Sequence, residues 1–512
     1  MKKMFITTPI YYASGKPHIG HAYTTILADV ISRYKKTIGY NVFFLTGMDE
    51  HGQKIVETAT KQNVDVQTML DSVAKDFKKL WKDLDIDYSN FIRTTNEQHE
   101  KAVQEIFSKL IQNNYVYEGK WTGLYCVSCE ENYTKEQAIK KGNRLYCKVG
   151  HELIEKNEPS YFLKVSEFSD WIKEKISTPN FIMPQSRVNE LKGSFIDKGL
   201  EDLSVTRTSL QWGIPVKENK QHIIYVWIDA LLSYLTGLGY LTDKTDNYSE
   251  FWKDEQCQVV HLMSKEITRF HCIYWPILLK MLKLRLPTHI ISHGWVVTKE
   301  GKMSKSLGNV INPYDYINAY GSDAFRYFIV RQVSLEKDGI FSKDLFIETI
   351  NSELANNYGN MATRIAGMIK KYFENVVPNY NEKALSQLDK DVITKERQLL
   401  GRYEDRIEHF AINELLDDIQ KQYDVLNKYI DETKPWVLAK DPAKKDQLAN
   451  CLNIVFSGTV NLAILLKPIL VRTSQIIETG FNLPLNMKNL CQNWQGHKIK
   501  ELPPPFIRIA KD

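Results

Sequence analysis

At 512 residues the chain is too long for one hydrophobic core and implies two or three domains, with 43% apolar residues to fill them and 25% charged residues, an ordinary share for a soluble protein. Its 67 basic residues outnumber 62 acidic ones by five, a balance that permits a local patch for nucleic acid but does not announce one. Seven cysteines do not make a disulfide framework in so long a chain, and a strand pattern opening at Met4 leaves no room for a signal peptide, so a cytoplasmic protein is expected.

Residues 1–115 alternate strand and helix. Residues 4–10 are apolar with Thr7 and Thr8 interleaved and read as a buried strand, followed by a Pro/Gly loop and then by Ile26, Val30, Ile31 and Tyr34 at helical spacing. His18 and His21 thus fall where a strand hands over to a helix, a point with free backbone N–H groups and the positive end of the helix dipole. Three residues apart, they share one face, and Gly20 between them lets a flat ring approach the backbone. Two imidazole donors beside a phosphate site suit charge building up on an α-phosphate; two ordinary histidines at a helix start are the plain alternative. Residues 41–46 read as a second strand, and residues 47–52 as a polar loop whose Asp49 either holds an ammonium group or is a surface turn carboxylate. Strands alternating with helices imply a covered parallel sheet with its ligands beyond the carboxyl ends of the strands, so both loops should line one cleft.

Residues 116–222 break the alternation. After a strand over 121–127, Cys126 and Cys129 form a Cys-x-x-Cys turn, and Cys147 and His151 follow after a short excursion, the grammar of a structural zinc knuckle. Three residues separate Cys147 from His151 where two are expected, so a metal-free relic of such a site stays open. Residues 223–293 return to the first pattern, with strands over 222–228 and 259–263. Trp227, Ala230 and Tyr234, and again Ile267, His271 and Trp275, are spaced for one helix face each, which on spacing alone means core packing. Gly301-Lys302-Met303-Ser304-Lys305-Ser306-Leu307-Gly308-Asn309 reads as a mobile, positively charged loop.

From 351 onward only long amphipathic helices are visible, the pattern of a bundle. Residues 452–471 are the best membrane candidate, but Asn453, Asn461 and Lys467 interrupt them, so they read as a buried helix and no membrane is expected. Trp436, with Lys434 and Lys440 nearby, is either a packed tryptophan or a platform for an unstacked RNA base. Pro503-Pro504-Pro505 cannot continue a helix, and the tail should run back over the surface.

The stretches His18-Ile19-Gly20-His21 and Lys302-Met303-Ser304-Lys305-Ser306, in this order, resemble the HIGH and KMSKS signatures of class I aminoacyl-tRNA synthetases. The surroundings, residues 12–21 and Gly47-Met48-Asp49-Glu50-His51-Gly52, are similar to bacterial-type methionyl-tRNA synthetases, and the likeness runs over nearly the whole chain. The resemblance implies an α/β fold: a Rossmann-like parallel-sheet catalytic domain in two halves (1–115 and 223–293), a small connective insertion (116–222), a KMSKS and stem-contact segment (294–350) and an all-α anticodon-binding bundle (351–512). It implies ATP and magnesium as reaction partners, with one structural zinc on Cys126, Cys129, Cys147 and His151. ATP would meet Lys16, His18, Gly20, His21, Lys302, Ser304 and Lys305, of which His18, His21, Lys302 and Lys305 are catalytic. Methionine would meet Ile10, Tyr12, Asp49, Trp227, Ala230, Leu231, Tyr234, Ile267, His271 and Trp275. Trp436, with Asn356 and Asn357, would read the anticodon of initiator and elongator methionine tRNA. At 264–266 the chain has Ser-Lys-Glu where the family usually has Gly-Lys-Asp. The chain has no C-terminal extension of the kind some relatives use to dimerise, so a monomer is expected. The expected reaction is methionyl-adenylate formation followed by transfer to the terminal 2′-hydroxyl of tRNA. The rivals are a small nucleotidyltransferase, a synthetase for cysteine or a branched amino acid, and a non-catalytic tRNA-binding protein.

Overall fold

The computed structural model describes residues 1–510 apart from 134, 136, 149, 243–246, 300, 304–309 and 333. Strand β1 (Lys2–Tyr12) leads into helix α1 (Ile19–Thr37), followed by β2 (Tyr40–Asp49), β3 (Asn90–Arg93) and helix α2 (Glu97–Gln112). An insertion carries the long strands β4 (Val116–Cys126) and β5 (Ile154–Leu163). The chain then returns through β6 (Ile182–Met183), helix α3 (Val226–Thr236), β7 (Gln258–Ser264) and β8 (His289–His293). These build a six-stranded sheet in the order β3-β2-β1-β7-β8-β6, every pairing parallel. Met4, Phe5, Ile6, Val259, Val260 and Leu262 are fully buried, as expected of strands covered on both faces.

The strand order reverses between β1 and β7, the switch point at which such sheets open a crevice. Pairing between them ends at Thr7 and His261. Against β2, Thr7 faces Leu45 but Ile10 faces Gly47, so one extra residue bulges out of β1 around Pro9. Proline has no N–H for the ladder, and inside a sheet it is confined to edges and bulges.

Three local expectations are corrected. Residues 47–49 are not loop: β2 keeps pairing with β1 to Tyr12–Asp49, so Asp49 sits at a strand end. The strand expected over 222–228 is only Ile223–Ile224, and Val226, Trp227 and Ile228 form the first turn of α3. That helix is buried nearly all round, so its apolar run looks like a strand. The helix face expected through Ile267, His271 and Trp275 is not regular either: these residues fall in a 3₁₀ turn (Lys265–Ile267), a π turn (Phe270–Tyr274) and an α-helix (Trp275–Met281). Pro276 at the start of the last piece cannot donate to the turn before it.

In the insertion β4 and β5 pair antiparallel from Val116–Leu163 to Tyr125–Ile154. The core at its tip consists of Leu124, Cys126, Tyr133, Cys147 and Leu153, too little to hold a fold alone. The C-terminal part is helical, including α4 (Ser322–Gln332), α5 (Ile412–Thr433) and α6 (Lys445–Leu466). The apolar window of α6 is 94% buried inside the protein, as a bundle core requires. Helical structure is continuous over 343–373, so it crosses the boundary expected at 351. The tail does return: Phe506 packs on Tyr358 with ring centroids 6.0 Å apart, and Asn351 exchanges two hydrogen bonds with the backbone of Ile509 at 2.9 and 2.8 Å.

Helix α1 joins the two halves. Arg326 of α4, fully buried, donates to Asp29 of α1 at 2.7 Å and to the carbonyls of Leu84, Pro468 and Ile469. Tyr34 donates to the Leu465 carbonyl at 2.8 Å, and the buried ammonium of Lys35 pairs with Glu408. Replacing Asp29 by Ala leaves the Arg326 guanidinium buried without its counter-charge, at an expected cost of about 3–5 kcal/mol. The expected result is earlier urea unfolding and faster amide hydrogen exchange in residues 322–332; unchanged exchange there would show that the pair does not dock the bundle.

Candidate active site

The carboxyl ends of β1, β2, β7 and β8 surround a cleft of roughly 510 Å³. On one side His18 caps α1 and His21 lies one turn on. Their rings stack with centroids 3.8 Å apart. Each Nδ1 accepts a backbone N–H, His18 from Gly20 at 3.1 Å and His21 from His18 at 3.2 Å, so the pair forms a capping box made of imidazoles. Each ring accepting at Nδ1 carries its proton on Nε2, the form that donates to a phosphate oxygen. A Cβ on Gly20 would come within 3.0 Å of the His18 ring, so the glycine makes room for that histidine. Lys16 and Gly20 line the same side of the cleft.

Opposite lies an aromatic slot lined by Ile10, Tyr12, Trp227, Ala230, Leu231, Tyr234, Ile267 and His271. Trp227 lies flat on Phe270 at 3.8 Å and edge-on to His271. His271 Nδ1 reaches the Ile267 carbonyl at 3.0 Å and must donate there, so its Nε2 accepts from the Tyr234 hydroxyl at 2.7 Å. Burial pushes the His271 imidazole down to about 4 and keeps it neutral. Trp275 is the exception among the expected slot residues. It stands behind Tyr234 and donates to His261, which is itself bonded to Thr7, so it supports the slot without lining it.

At the end of the slot sits Asp49, only 9% exposed, with Oδ1 buried and unpartnered. Burial, then the neighbouring Asp229, holds its carboxyl well above the usual carboxylate range. A buried carboxylate aimed into a cavity is a receptor for a cation.

Residues 304–309, with Ser304 and Lys305, lie outside the described residues, as does the Lys302 side chain. Their flanks do not. Met303 and Val310 both line the cleft, the backbone of Lys302 pairs with Val297, and Ile19 at the start of α1 donates to the Ile311 carbonyl at 3.3 Å.

Cys126, Cys129, Cys147 and His151 converge, their ligand atoms all within 4.8 Å of one another. The Cys129–Cys147 sulfur distance is 3.8 Å, and His151 Nδ1 lies 3.3 and 3.7 Å from those sulfurs. Four ligands about 2.3 Å from a tetrahedral centre have edges of about 3.8 Å, so the set fits one zinc. Backbone N–H groups of Cys129 and His151 point at the Cys126 and Cys147 sulfurs, the usual support for thiolates. The longer spacing before His151 closes through paired backbone bonds, Cys147 N–H to the His151 carbonyl at 2.8 Å and Gly150 N–H to that of Cys147 at 2.9 Å.

Sequence reasoning missed several cleft residues. Glu130, beside Cys129, accepts from Tyr12 at 3.1 Å and from Tyr125, and Lys54 and Glu131 line the cleft nearby. Gly52 is at φ +111°, where a Cβ would strike the Tyr12 hydroxyl at 2.6 Å and Glu130 at 2.8 Å. Arg207 is fully buried among Trp121, Tyr125 and Tyr225. His293, bonded to Thr24 at 2.8 Å, was findable because it ends a strand of the sheet. Of the Ser-Lys-Glu stretch that the sequence did single out, Glu266 lines the cleft, and Lys265 beside it is held by Asp338 at 2.7 Å over the ring of Trp295.

On the bundle Trp436 is 42% exposed, and the guanidinium of Arg364, a residue the sequence did not single out, lies 5.7 Å from its ring centroid. Asn356 is exposed. Asn357 differs: its amide donates to Gln420 at 3.0 Å and accepts from Asn427 at 3.3 Å, so each end already has one partner inside the bundle.

The family model described as tRNA synthetases class I (M) matches residues 4–366. The chain is 47% identical over 517 residues to methionine–tRNA ligase of Ureaplasma parvum, covering 99% of this chain and 98% of that one. It is 43% identical to that of Listeria monocytogenes, covering 99% and 76%. Among solved structures, methionyl-tRNA synthetase of Mycobacterium tuberculosis in complex with methionyl-adenylate superposes with a TM-score of 0.94 at 31% identity, over 99% of this chain and 100% of that one.

The convergent thiols and imidazole predict one zinc per chain by elemental analysis of freshly purified protein. Cys147→Ser should lose that ion and loosen residues 124–153, read as faster hydrogen exchange; metal-free protein with a tight insertion would reject the site.

Proposed function

The chain belongs to the class I methionyl-tRNA synthetases, and we propose from this that its cleft activates methionine with ATP and passes the product to methionine tRNA. The reaction has two steps. The methionine carboxylate attacks the α-phosphate of ATP, its new P–O bond replacing the one to pyrophosphate, and methionyl-adenylate forms. A terminal ribose hydroxyl of tRNA then attacks the acyl carbon and AMP leaves. The first step calls for no base, because a carboxylate is already ionised at neutral pH. Its demands are alignment and charge stabilisation.

The observation that carries this reading is a single cleft bounded by the stacked His18–His21 pair, the slot ending at Asp49 and both flanks of the lysine segment. In it the thioether would lie against Tyr12, Trp227, Tyr234 and His271, where a polarisable sulfur gains from aromatic neighbours. Ile10, Ala230, Leu231 and Ile267 would fill the remainder of the slot, and Asp49 would receive the α-ammonium. His18 and His21 would donate from Nε2 to the α-phosphate, with Lys16 and the Gly20 backbone beside them. Lys305, assisted by Lys302 and Ser304, would hold the departing pyrophosphate. Magnesium, arriving with ATP, would share the triphosphate charge.

Cys126, Cys129, Cys147 and His151 would hold one structural zinc, which supplies rigidity and no chemistry. Residues 116–222 would guide the acceptor end of tRNA, 294–350 its stem, and the bundle from 351 its anticodon, with Trp436 and Arg364 as the stacking surface and Asn356 at a base edge. Under this reading the enzyme works as a cytoplasmic monomer on initiator and elongator tRNA alike.

Loss of one charge-stabilising contact typically costs about 2.7–4 kcal/mol of barrier. Lys305→Ala should therefore slow adenylate formation about a hundredfold or more with little change in methionine binding, measured by single-turnover kinetics; an unchanged rate removes that lysine from the mechanism. Trp436→Ala should spare methionine-dependent ATP–pyrophosphate exchange and lower kcat/KM for tRNA about tenfold or more, as base stacking is worth about 1–3 kcal/mol. Equal loss of both activities would count against its role.

A further inference from the structure

Beneath Asp49 lies a buried polar chain that the reaction scheme above leaves unused. Asp229, on the first turn of α3 and 1% exposed, accepts from two histidines, His51 Nδ1 at 2.7 Å and His99 Nε2 at 2.6 Å. His99 Nδ1 in turn meets the Thr236 hydroxyl at 2.7 Å, which lets a neutral His99 donate to Asp229. His51 cannot be neutral in the same way. Its Nδ1 faces Asp229, and its Nε2 lies 3.4 Å from Glu100 on α2. A ring with a carboxylate at each nitrogen is held as the imidazolium. Its titration is accordingly raised to about 10, although burial opposes the charge.

His51 also touches the substrate side. It stands two residues after Asp49, which ends β2, and its positive charge favours the ionised form of the Asp49 carboxyl. The charged groups around this pair come from every neighbouring element. They are Asp229 from α3, Glu100 and His99 from α2, and Glu130 from the insertion, facing Asp49. Glu50 is turned away and spent on Arg93 and Thr95, and Trp212 closes the remaining side of the His51 ring. Asp49 therefore faces two acidic neighbours, Asp229 and Glu130, against the His51 cation, with Lys54 lining the same cleft.

We propose that His51, clamped as an imidazolium between Asp229 and Glu100, is the positioning residue that favours the anionic form of Asp49 and aims it at the α-ammonium of methionine. Burial and Asp229 already favour a proton on Asp49; without the His51 charge that proton is held more tightly, and methionine binds by displacing it. With it, the imidazolium and the bound ammonium together offset two of the negative charges gathered around Asp49. The inference rests on the assignment of Asp49 to the ammonium group, which can be tested separately.

The experiment is methionine KM against pH from 6.5 to 9, by ATP–pyrophosphate exchange, for wild type, His51→Asn, Glu100→Gln and Asp49→Asn. Asparagine at 51 can still donate to Asp229 but carries no charge. The expected His51→Asn enzyme has kcat within about threefold of wild type and a methionine KM raised at least tenfold at pH 7. That KM falls with rising pH by up to about tenfold per unit, the slope of one displaced proton. Glu100→Gln, at a partly exposed position, shifts the same way by a smaller factor. A KM that stays at the wild-type value, or rises equally at every pH, overturns the proposal. If His51→Asn does not fold, nitrogen-15 NMR of the wild-type imidazole decides: both ring nitrogens protonated at pH 8.5 supports the clamp, and a neutral ring overturns it. Asp49→Asn separates the premise, because normal methionine affinity in that variant refutes the ammonium assignment itself.

Discussion

Past Thr7 the first strand loses its partner on one side, and the functional half of the molecule is arranged around that parting. A proline in the middle of a parallel sheet would leave a hole in the hydrogen-bond ladder, and the chain resolves this with a bulge at Pro9. Strands β1 and β7 then diverge at the point where the strand order reverses. Tyr12, the histidine-capped helix, the end of β2 and the start of the lysine segment are all delivered to the resulting gap. Cleft groups drawn from such distant parts of the chain meet without any long-range adjustment, because each is fixed by the strand or helix end that carries it.

Helix α1 gives the cleft its second constraint. Its first turn is the imidazole pair, its middle is pinned by Arg326, and its last turns are tied to the bundle through Tyr34 and Lys35. A helix held at three levels is a stiff rod. The groups that would meet ATP and the helices that would meet the anticodon are thus in mechanical contact through one element rather than through a flexible linker.

Much of this was legible in the sequence, and the exceptions have physical causes. The alternation of strand and helix, the histidine pair, the four zinc-type ligands, the buried apolar helix and the returning tail all depend on local pattern, which the fold respects. Residues 226–228 looked like a strand because a helix buried on every side loses its amphipathic stripe. Trp275 shares helical spacing with His271, yet a π turn over Phe270–Tyr274 interrupts the α-helical rise between Ile267 and Trp275, so the face turns and the indole goes to the core. Asn357 looked like a base reader because only the folded bundle supplies Gln420 and Asn427 to occupy it. Glu130, Arg207 and the His51–Asp229–His99 chain were invisible for a related reason. Their partners come from segments far apart in the chain, so no spacing rule joins them.

The insertion's tip has a second meaning for the cleft. Ser128, Cys129, Glu130, Glu131 and His151 form part of its wall, yet the unit that carries them rests on five buried side chains. With zinc bound, the stiffness of that wall is set by coordination bonds, while the opposite wall is set by aromatic packing. The two walls would then soften by different routes, one with heat and one with chelators or oxidants of thiols, and the shape of the cleft would depend on the metal supply of the cell as well as on the fold.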